Sequence, residues 1–430
     1  MHFYLKITFL FFYLFSFSQD MRDKAHLLET SASLDKLIAA SENKKLVLLG
    51  EASHGTLEYY TWRDSISRRL IQEHAFSFIA VEGDFASLYE LNRYVKNKEG
   101  AAKSARKVLL KLNRWPLWMW ANEEIVAFAE WLRKYNDTLP ENQKVGFYGM
   151  DVYDEWHSKN AILDLLKKHD KTLYNLVKEY YNCFSPYKGN SWSYATAVKN
   201  GKKSCEESTA RVLDLLIQNR ENLEISKDDY FYLLQNALVV HNAEKFYRKE
   251  VLYKDASSWN SRVYHMNQTI HNLLFQYGEG AKGIVWAHNT HIGDALYSSM
   301  GNSNQKNIGQ LTREYFGKEN VFLIGFTTYR GSVMAAKSWG APMQKMLIPA
   351  AIKNSAEQLM FKTGLHSFYL IFDDDDRANK NLKKEIGNRA VGVVYNPEGD
   401  HRQFVQTILP MRYDAKIFIR DTKALQPLHK

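Results

Sequence analysis

Cysteine and proline are scarce in this chain of 430 residues, which contains two of the former and eight of the latter. The two cysteines, Cys183 and Cys205, do not have the spacing of a metal-binding motif. An oxidising compartment would allow one disulfide between them, and two free thiols are an equal alternative. The cysteine content therefore leaves the question of a bridge open.

Several catalytic motifs are also absent. The sequence has no G-x-S-x-G elbow, which argues against a lipase-like serine hydrolase. It has no H-E-x-x-H, no P-loop and no G-x-G-x-x-G after a strand. What remains is a set of histidine, carboxylate and arginine side chains without an obvious nucleophile. Such a set suits activation of water by an imidazole whose proton affinity is balanced near neutral pH.

Long hydrophobic runs are limited to the N-terminus, where an apolar stretch extends from Ile7 to Phe17. It is too short to span a bilayer and is typical of a secretory signal peptide, which we predict to be residues 1–19. Loss of Lys6 with this peptide would lower the net charge from +9 to +8. We expect a periplasmic or secreted protein without stable membrane insertion after cleavage. An uncleaved N-terminal anchor is the alternative.

The composition is that of a soluble globular protein with a sizeable core, at 45% hydrophobic and 24% charged residues. Although the chain is basic, no long block of lysine and arginine is interleaved with aromatic residues, as nucleic-acid binding would favour. We therefore expect a solvated basic surface and no nucleic-acid partner.

One stretch organises the rest of the chain. The apolar run from Leu46 to Leu49 predicts a buried strand that ends at Gly50, and a helix is predicted to follow over Thr56–Leu70. In α/β folds the carboxyl ends of parallel strands open into the ligand-binding crevice. Glu51 and His54 would lie at this opening, a carboxylate positioned to orient a histidine base.

Three further strand-like runs end in polar residues. FSFIAVEGD ends in Glu82 and Asp84, VGFYGMD ends in Asp151, and GIVWAHNTHIG continues into His288, Asn289 and His291. Any one of these is explained by a turn or a helix cap. Because four strand ends carry such groups, we predict that they converge on one pocket.

The pattern predicts an α/β protein with a mostly parallel sheet flanked by helices and a helical subdomain inserted over the cleft. The domain would occupy residues 20–430, with its α/β core at 35–154 and 281–430 and the helical subdomain at 155–280, interrupted by a loop over Ser185–Lys203. Further strands are predicted at Val321–Phe326, Ser367–Phe372, Arg389–Val394 and Ile417–Arg420.

An ordered series of motifs, from about residue 30 to the C-terminus, resembles the erythromycin esterase family. The motifs are GEASHG with Arg63 nine residues after His54, VEGD, RWPLWMWANEE, EWLRKYN, VGFYGMD, WNSRVYHM, WAHNTHIG and RAVGVVYNPE with LPMRYDAKIFIRDTKALQPL. The resemblance implies an α/β core with a helical subdomain and a deep cleft. It also implies hydrolysis of a small-molecule ester or lactone without metal or cofactor, because characterised relatives open macrolide lactones with a histidine base.

The resemblance also implies roles for individual residues. His54 would be the general base and Glu51 would orient the site, while His288 would stabilise or protonate the departing group. The residues that would position water or substrate are Arg63 and Glu82, and those expected to contact the substrate are Asn289, His291 and Trp118. One position departs from the family pattern: Val263 follows Arg262 where members usually have aspartate, which argues against a polar role there.

Two alternatives remain open. A metal-dependent hydrolase could use ligands of acceptable type, namely Glu51, His54, His288 and His291, although their spacing matches no recognised metal motif. An exported protein that binds in the cleft without catalysis, for instance one related to polysaccharides, is the other.

Overall fold

The structure is a computed structural model that describes residues 19–429. The predicted signal peptide, apart from Gln19, lies outside the described residues. The strands are β1 His26–Leu27, β2 Leu46–Leu49, β3 Phe78–Asp84, β4 Gly146–Asp151, β5 Gly283–Trp286, β6 Val321–Ala336, β7 Met343–Ile348, β8 Ser367–Ile371, β9 Ile386–Arg389, β10 Phe404–Thr407 and β11 Ala415–Thr422.

The α-helices are α1 Asp35–Ser41, α2 Leu57–His74, α3 Phe85–Val95, α4 Ala105–Leu109, α5 Glu123–Asn136, α6 Glu155–His169, α7 Lys171–Tyr180, α8 Ser191–Lys199, α9 Glu206–Gln218, α10 Lys227–Leu252, α11 Ser257–Tyr277, α12 Asn289–Ile292, α13 Ser299–Asn302, α14 Ile308–Phe316, α15 Ala356–Phe361, α16 Asp374–Ala378 and α17 Leu409–Arg412. None of the helices within residues 19–429 has the length and apolar character needed to cross a membrane.

The chain forms two compact units. The first unit contains the described residues up to Ile79, together with Lys103–Val145 and the chain from Lys282 onward. The second unit contains Ala80–Ala102 and Gly146–Ala281, and it includes the six helices from α6 to α11. These six helices fall within the stretch that the sequence predicts to be helical.

The sheet of the first unit has the strand order β1-β8-β11-β6-β2-β5, with β7 attached to β6. The central strand β2 runs parallel to both neighbours, so that Leu49 lies opposite Trp286 of β5 and Ile324 of β6. All four residues of β2 are buried, as expected for a strand covered by helices on both faces. The prediction of an α/β protein with a mostly parallel sheet flanked by helices is confirmed.

Most of the predicted later strands are confirmed, as β6, β8 and β11. The strand predicted at Arg389–Val394 is wrong, because β9 ends at Arg389. The backbone N–H of Val391 instead donates to Ala52 in the loop after β2, at 2.7 Å, which draws this segment away from a regular strand. The loop predicted over Ser185–Lys203 also contains an unpredicted helix, α8.

The second unit has its own hydrophobic core, formed by the inner faces of its helices. Buried side chains of this core include Val152, Ile162, Val177, Val212 and Val240. A disulfide joins Cys183 to Cys205, whose Cα atoms are 5.9 Å apart. Of the two interpretations that the sequence leaves equal, the structure therefore has the bridge.

Candidate active site

The loop after β2 is held from three sides. Gly50 donates to the carbonyl of Ile324 on β6, and the Glu51 carbonyl accepts from the backbone of Asn289 at 2.8 Å. The Gly55 carbonyl accepts from Met334 at 3.0 Å. Gly50 must lack a side chain, because a Cβ there would lie 2.1 Å from the Asn289 Oδ1 atom. The loop that carries Glu51 and His54 is thus fixed by backbone contacts.

Glu51 connects His54 to Arg63. One carboxylate oxygen lies 2.8 Å from Nδ1 of His54, and the other lies 2.8 Å from a guanidinium nitrogen of Arg63 on α2. The contact with Arg63 has the distance of an ion pair without the alignment of a hydrogen bond. All three side chains are buried. A buried ion pair of this kind costs about 3–5 kcal/mol to break by removal of one partner.

Arg63 is enclosed by aromatic rings as well as by the carboxylate. Its guanidinium carbon lies 4.5 Å from the ring centroid of Tyr60 and 5.0 Å from that of Trp286. Tyr60 and Arg63 share one face of α2 because they are three residues apart. Burial raises the pKa of Tyr60 well above its ordinary value, so its hydroxyl stays protonated and donates to the Met119 carbonyl at 2.8 Å. Sequence reasoning did not identify Tyr60, whose spacing from Arg63 was the available signal.

His288 lies beside His54 at the N-terminus of α12. The two imidazole centroids are 4.8 Å apart, with the rings tilted by 38°. Nδ1 of His288 accepts from the backbone N–H of Thr290 at 3.3 Å and lies 2.8 Å from the Thr290 hydroxyl. Because a backbone N–H can only donate, Nδ1 must carry a lone pair, and the proton of the neutral ring is then on Nε2.

The three residues predicted to contact the substrate are buried in the first unit. The Asn289 amide connects the start of α12 to β6, since it donates to the Phe326 carbonyl at 2.7 Å and accepts from the Phe326 N–H at 3.2 Å. His291 lies in α12. Trp118 packs edge-on against Trp115, and its indole nitrogen has no hydrogen-bond partner among residues 19–429. Their roles in binding stay predictions.

Glu82 belongs to the second unit and lies close to the end of strand β3. Its carboxylate lies 2.9 Å from Arg262 on α11, and Arg262 also contacts Asp151 at 2.6 Å and 2.8 Å. Although burial alone would raise it, the pKa of Asp151 is held below its ordinary value by Arg262. The predicted grouping of Glu82 with the histidines stays a prediction.

Arg262 is a residue whose importance sequence reasoning underestimated. The neighbouring Val263 is fully buried, and its side chain carries no polar group. The arginine one position earlier nevertheless neutralises two buried carboxylates. The available signal was a lone arginine on a helix in a chain with two acidic strand ends, Glu82 and Asp151.

Within residues 19–429, no group of three or more His, Cys, Asp or Glu side chains is arranged to hold a metal ion.

Comparisons with known proteins agree on one family. A model of the erythromycin esterase family matches residues 71–422. An erythromycin esterase type II from Escherichia coli is 21% identical over 352 residues, which cover 76% of this chain and 80% of that protein.

Two solved structures share the fold over almost the whole chain. A succinoglycan biosynthesis protein has a TM-score of 0.77 at 22% identity and covers 96% of this chain and 98% of its own. An erythromycin esterase mutant in its open conformation has a TM-score of 0.66 at 17% identity, and the match covers 92% of this chain and 95% of that protein. At these low sequence identities, the similarity shows that the fold is shared and nothing more.

Proposed function

This chain belongs to the erythromycin esterase family and hydrolyses an ester bond, and we propose that it is an exported enzyme in which His54 activates the attacking water without a metal ion. The observation that carries the mechanism is the contact of 2.8 Å between Glu51 and Nδ1 of His54. A carboxylate can only accept, so the proton of the neutral ring is on Nδ1 and Nε2 is the basic nitrogen. This is the tautomer that a general base requires.

His288 has the complementary tautomer. The N–H of Thr290 holds the lone pair of Nδ1, so Nε2 carries a proton that it can donate. A base and a donor of hydrogen bonds are thus side by side, with ring centroids 4.8 Å apart. Ester hydrolysis needs both, because water must lose a proton while the carbonyl oxygen gains negative charge.

The proposed reaction has two steps. Water attacks the carbonyl carbon and transfers a proton to Nε2 of His54, which gives a tetrahedral intermediate and an imidazolium that Glu51 stabilises. The intermediate then collapses, the bond to the alkoxy oxygen breaks, and that oxygen receives a proton from the imidazolium. His288 donates a hydrogen bond to the developing oxyanion. The products are a carboxylic acid and an alcohol, and His54 returns to its neutral form.

Arg63 acts as a positioning residue in this scheme. It is fully buried and contacts the outer oxygen of Glu51, so that it fixes the orientation of the carboxylate. Its enclosure by Tyr60 and Trp286 keeps it away from solvent. For Glu82 we propose a role in positioning water or substrate, with Arg262 holding its carboxylate in place.

A macrolide lactone is the first substrate to test, since the relative from Escherichia coli is named an erythromycin esterase. The test is a screen of macrolides and simple esters with chelator-treated wild type and with His54→Ala. We expect hydrolysis by the treated wild type and a loss of about 10²–10⁴ in kcat for the variant. Equal rates for the two proteins would overturn the role of His54, and a rate restored only by added metal would overturn the metal-free mechanism.

Export is the second part of the proposal. It is supported by the N-terminal sequence and is compatible with the disulfide between Cys183 and Cys205, since such bonds persist in oxidising compartments. N-terminal sequencing of the protein from the extracytoplasmic fraction should give a start near residue 20. A start at Met1 would contradict cleavage.

A further inference from the structure

A β-hairpin extends from the first unit next to the loop of residues 50–55 after β2, which the proposed function makes the catalytic loop. Strand β6 pairs with β2 as far as Ile324 and then continues to Ala336, where its last part pairs with β7 from Gly331 opposite Ile348 to Ala336 opposite Met343. Since β2 and β6 are parallel, the continuation extends on the side where β2 delivers Glu51 and His54. The N–H of Met334 donates to the carbonyl of Gly55, directly after His54, at 3.0 Å.

The tip of this hairpin carries an exposed tryptophan. Trp339 is 62% exposed, yet its ring is held 4.5 Å from the ring of Trp115. Trp115 in turn donates from its indole nitrogen to the Ala341 carbonyl at 3.0 Å and contacts the buried Trp118 edge-on at 5.5 Å. Three indoles therefore form a continuous series from the exposed surface to the interior. We call Trp339 and Trp115 the indole platform.

The support of the platform is linked to the catalytic loop as well. Met119 follows Trp118, and its carbonyl accepts from the Tyr60 hydroxyl at 2.8 Å. The same hydroxyl lies 3.4 Å from the carbonyl of His54. Both parts of the platform, the hairpin and the Trp115 segment, are thus connected by hydrogen bonds to the backbone of His54 and Gly55.

The surroundings of the platform indicate what it binds. The hairpin segment 337–348 contains no aspartate or glutamate, and besides Trp339 four of its exposed residues carry side-chain hydrogen-bond donors: Lys337, Ser338, Gln344 and Lys345. A sugar ring matches this combination, because its C–H face packs on an aromatic ring while its hydroxyl oxygens accept hydrogen bonds. Because the segment contains no carboxylate, it has no ion-pair partner for a cationic ligand.

The size of the apolar surface argues against a protein partner. A specific protein interface covers about 800 Å² on each side. The exposed large apolar residues of the hairpin are Trp339 and Leu347, and one aromatic side chain supplies about 150–250 Å². We propose that the indole platform is a subsite for a pyranose ring of the ester substrate, a proposal that rests on the proposed hydrolysis at His54.

The kinetic test compares an acetylated methyl glucoside with an acetate ester of a linear alcohol. Trp339→Ala should reduce the preference for the sugar ester, measured as the ratio of the two kcat/KM values, by about tenfold, mainly through KM. Trp339→Phe keeps an aromatic face and should retain most of the preference. Trp192→Ala is the matched control, since Trp192 is 45% exposed and packs on one ring, Tyr247, at 5.2 Å.

A binding measurement separates this proposal from the proposed function. Saturation-transfer NMR with methyl glucoside, which has no ester, should show transfer to the sugar with wild type and Trp192→Ala and a loss of transfer with Trp339→Ala. If no ester is hydrolysed but this pattern holds, the proposed function fails while the sugar subsite stands. If Trp339→Ala changed neither the saturation transfer nor the ester preference, the sugar subsite would be overturned. Whether the sugar belongs to a polysaccharide or to a small glycoside is decided by which glycosylated ester reacts fastest.

Discussion

The imidazole rings of His54 and His288 lie with their centroids 4.8 Å apart, and each ring has its Nδ1 atom committed to a partner of opposite kind. Glu51 accepts from Nδ1 of His54, whereas Thr290 donates to Nδ1 of His288. In the neutral rings, Nε2 is therefore unprotonated in His54 and protonated in His288. The first two predictions follow from this difference.

Glu51→Gln should abolish most of the activity without unfolding the protein. The amide can donate to Nδ1 of His54 and so stabilise the tautomer that has no basic Nε2, and it no longer pairs with the charge of Arg63. We expect kcat to fall by about 10²–10⁴. Steady-state kinetics with circular dichroism checks this, and Glu73→Gln, on an exposed surface of α2 next to Arg69, is the control. Normal turnover in folded Glu51→Gln would contradict the assigned tautomer.

His288→Asn separates catalysis from helix capping. Nδ1 of His288 caps α12, and asparagine is among the best residues for that position, so thermal stability should be retained. His288→Ala should lose about 1 kcal/mol of stability in addition. Both variants should lose kcat, since neither supplies the Nε2–H to the oxyanion. If His288→Asn had the turnover of wild type, the role of His288 would be limited to the cap.

The loop after β2 was predictable from sequence because its determinants are local. An apolar run, a glycine and two polar residues sufficed to predict β2 and to single out Glu51 and His54. Arg262 was not identified in the same way, because its two carboxylate partners are 111 and 180 residues away along the chain.

Tertiary contacts also explain where local patterns misled or gave no answer. The residues Arg389–Val394 have the composition of a strand, but a backbone hydrogen bond from Val391 to the loop after β2 ends β9 early. For Asn289 nothing in the sequence indicated that its amide pairs with the backbone of Phe326, and its predicted contact with the substrate stays a prediction. The bridge between Cys183 and Cys205 depends on a Cα distance that composition does not reveal.

Reduction of the disulfide should destabilise the second unit. The bond closes a segment with a sequence separation of 22, for which loss of chain entropy in the unfolded state predicts about 3 kcal/mol. Urea unfolding of wild type with and without a reductant, and of the double variant Cys183→Ser/Cys205→Ser, measures this. The reductant should have no effect on the double variant. Equal stability of the oxidised and reduced wild type would contradict the prediction.

Arg262→Ala should destabilise the protein in a manner that depends on pH. Without the arginine, two buried carboxylates would lose this partner and burial would raise the pKa of Asp151, so the cost at pH 8 should reach about 3–5 kcal/mol. As the pH falls towards 5, the folded state binds protons more readily than the unfolded state, and the deficit should shrink. Urea unfolding at both pH values tests this, with the exposed Arg211→Ala as control. A deficit independent of pH would show that Asp151 stays charged in the variant.

Lys416, in the first unit, makes the stability of the fold depend on pH in the opposite direction. Its Nζ lies 2.8 Å from Oδ1 of Asn388, and burial lowers its pKa from 10.5 to about 7, although Glu357 opposes this shift. Between these two pH values the unfolded chain binds the proton and the folded chain does not, so Lys416 makes stability rise with pH.

Lys416→Met should remove this dependence while filling a similar volume. The difference in unfolding free energy between the variant and wild type should therefore favour the variant most at pH 7 and decline towards pH 10, because wild type regains stability as Lys416 loses the cost of its charge. Urea titrations at several pH values measure the difference, and the exposed Lys362→Met should show none. A constant difference would mean that Lys416 remains charged in the fold, in which case the amide of Asn388 and the carboxylate of Glu357 must compensate its burial.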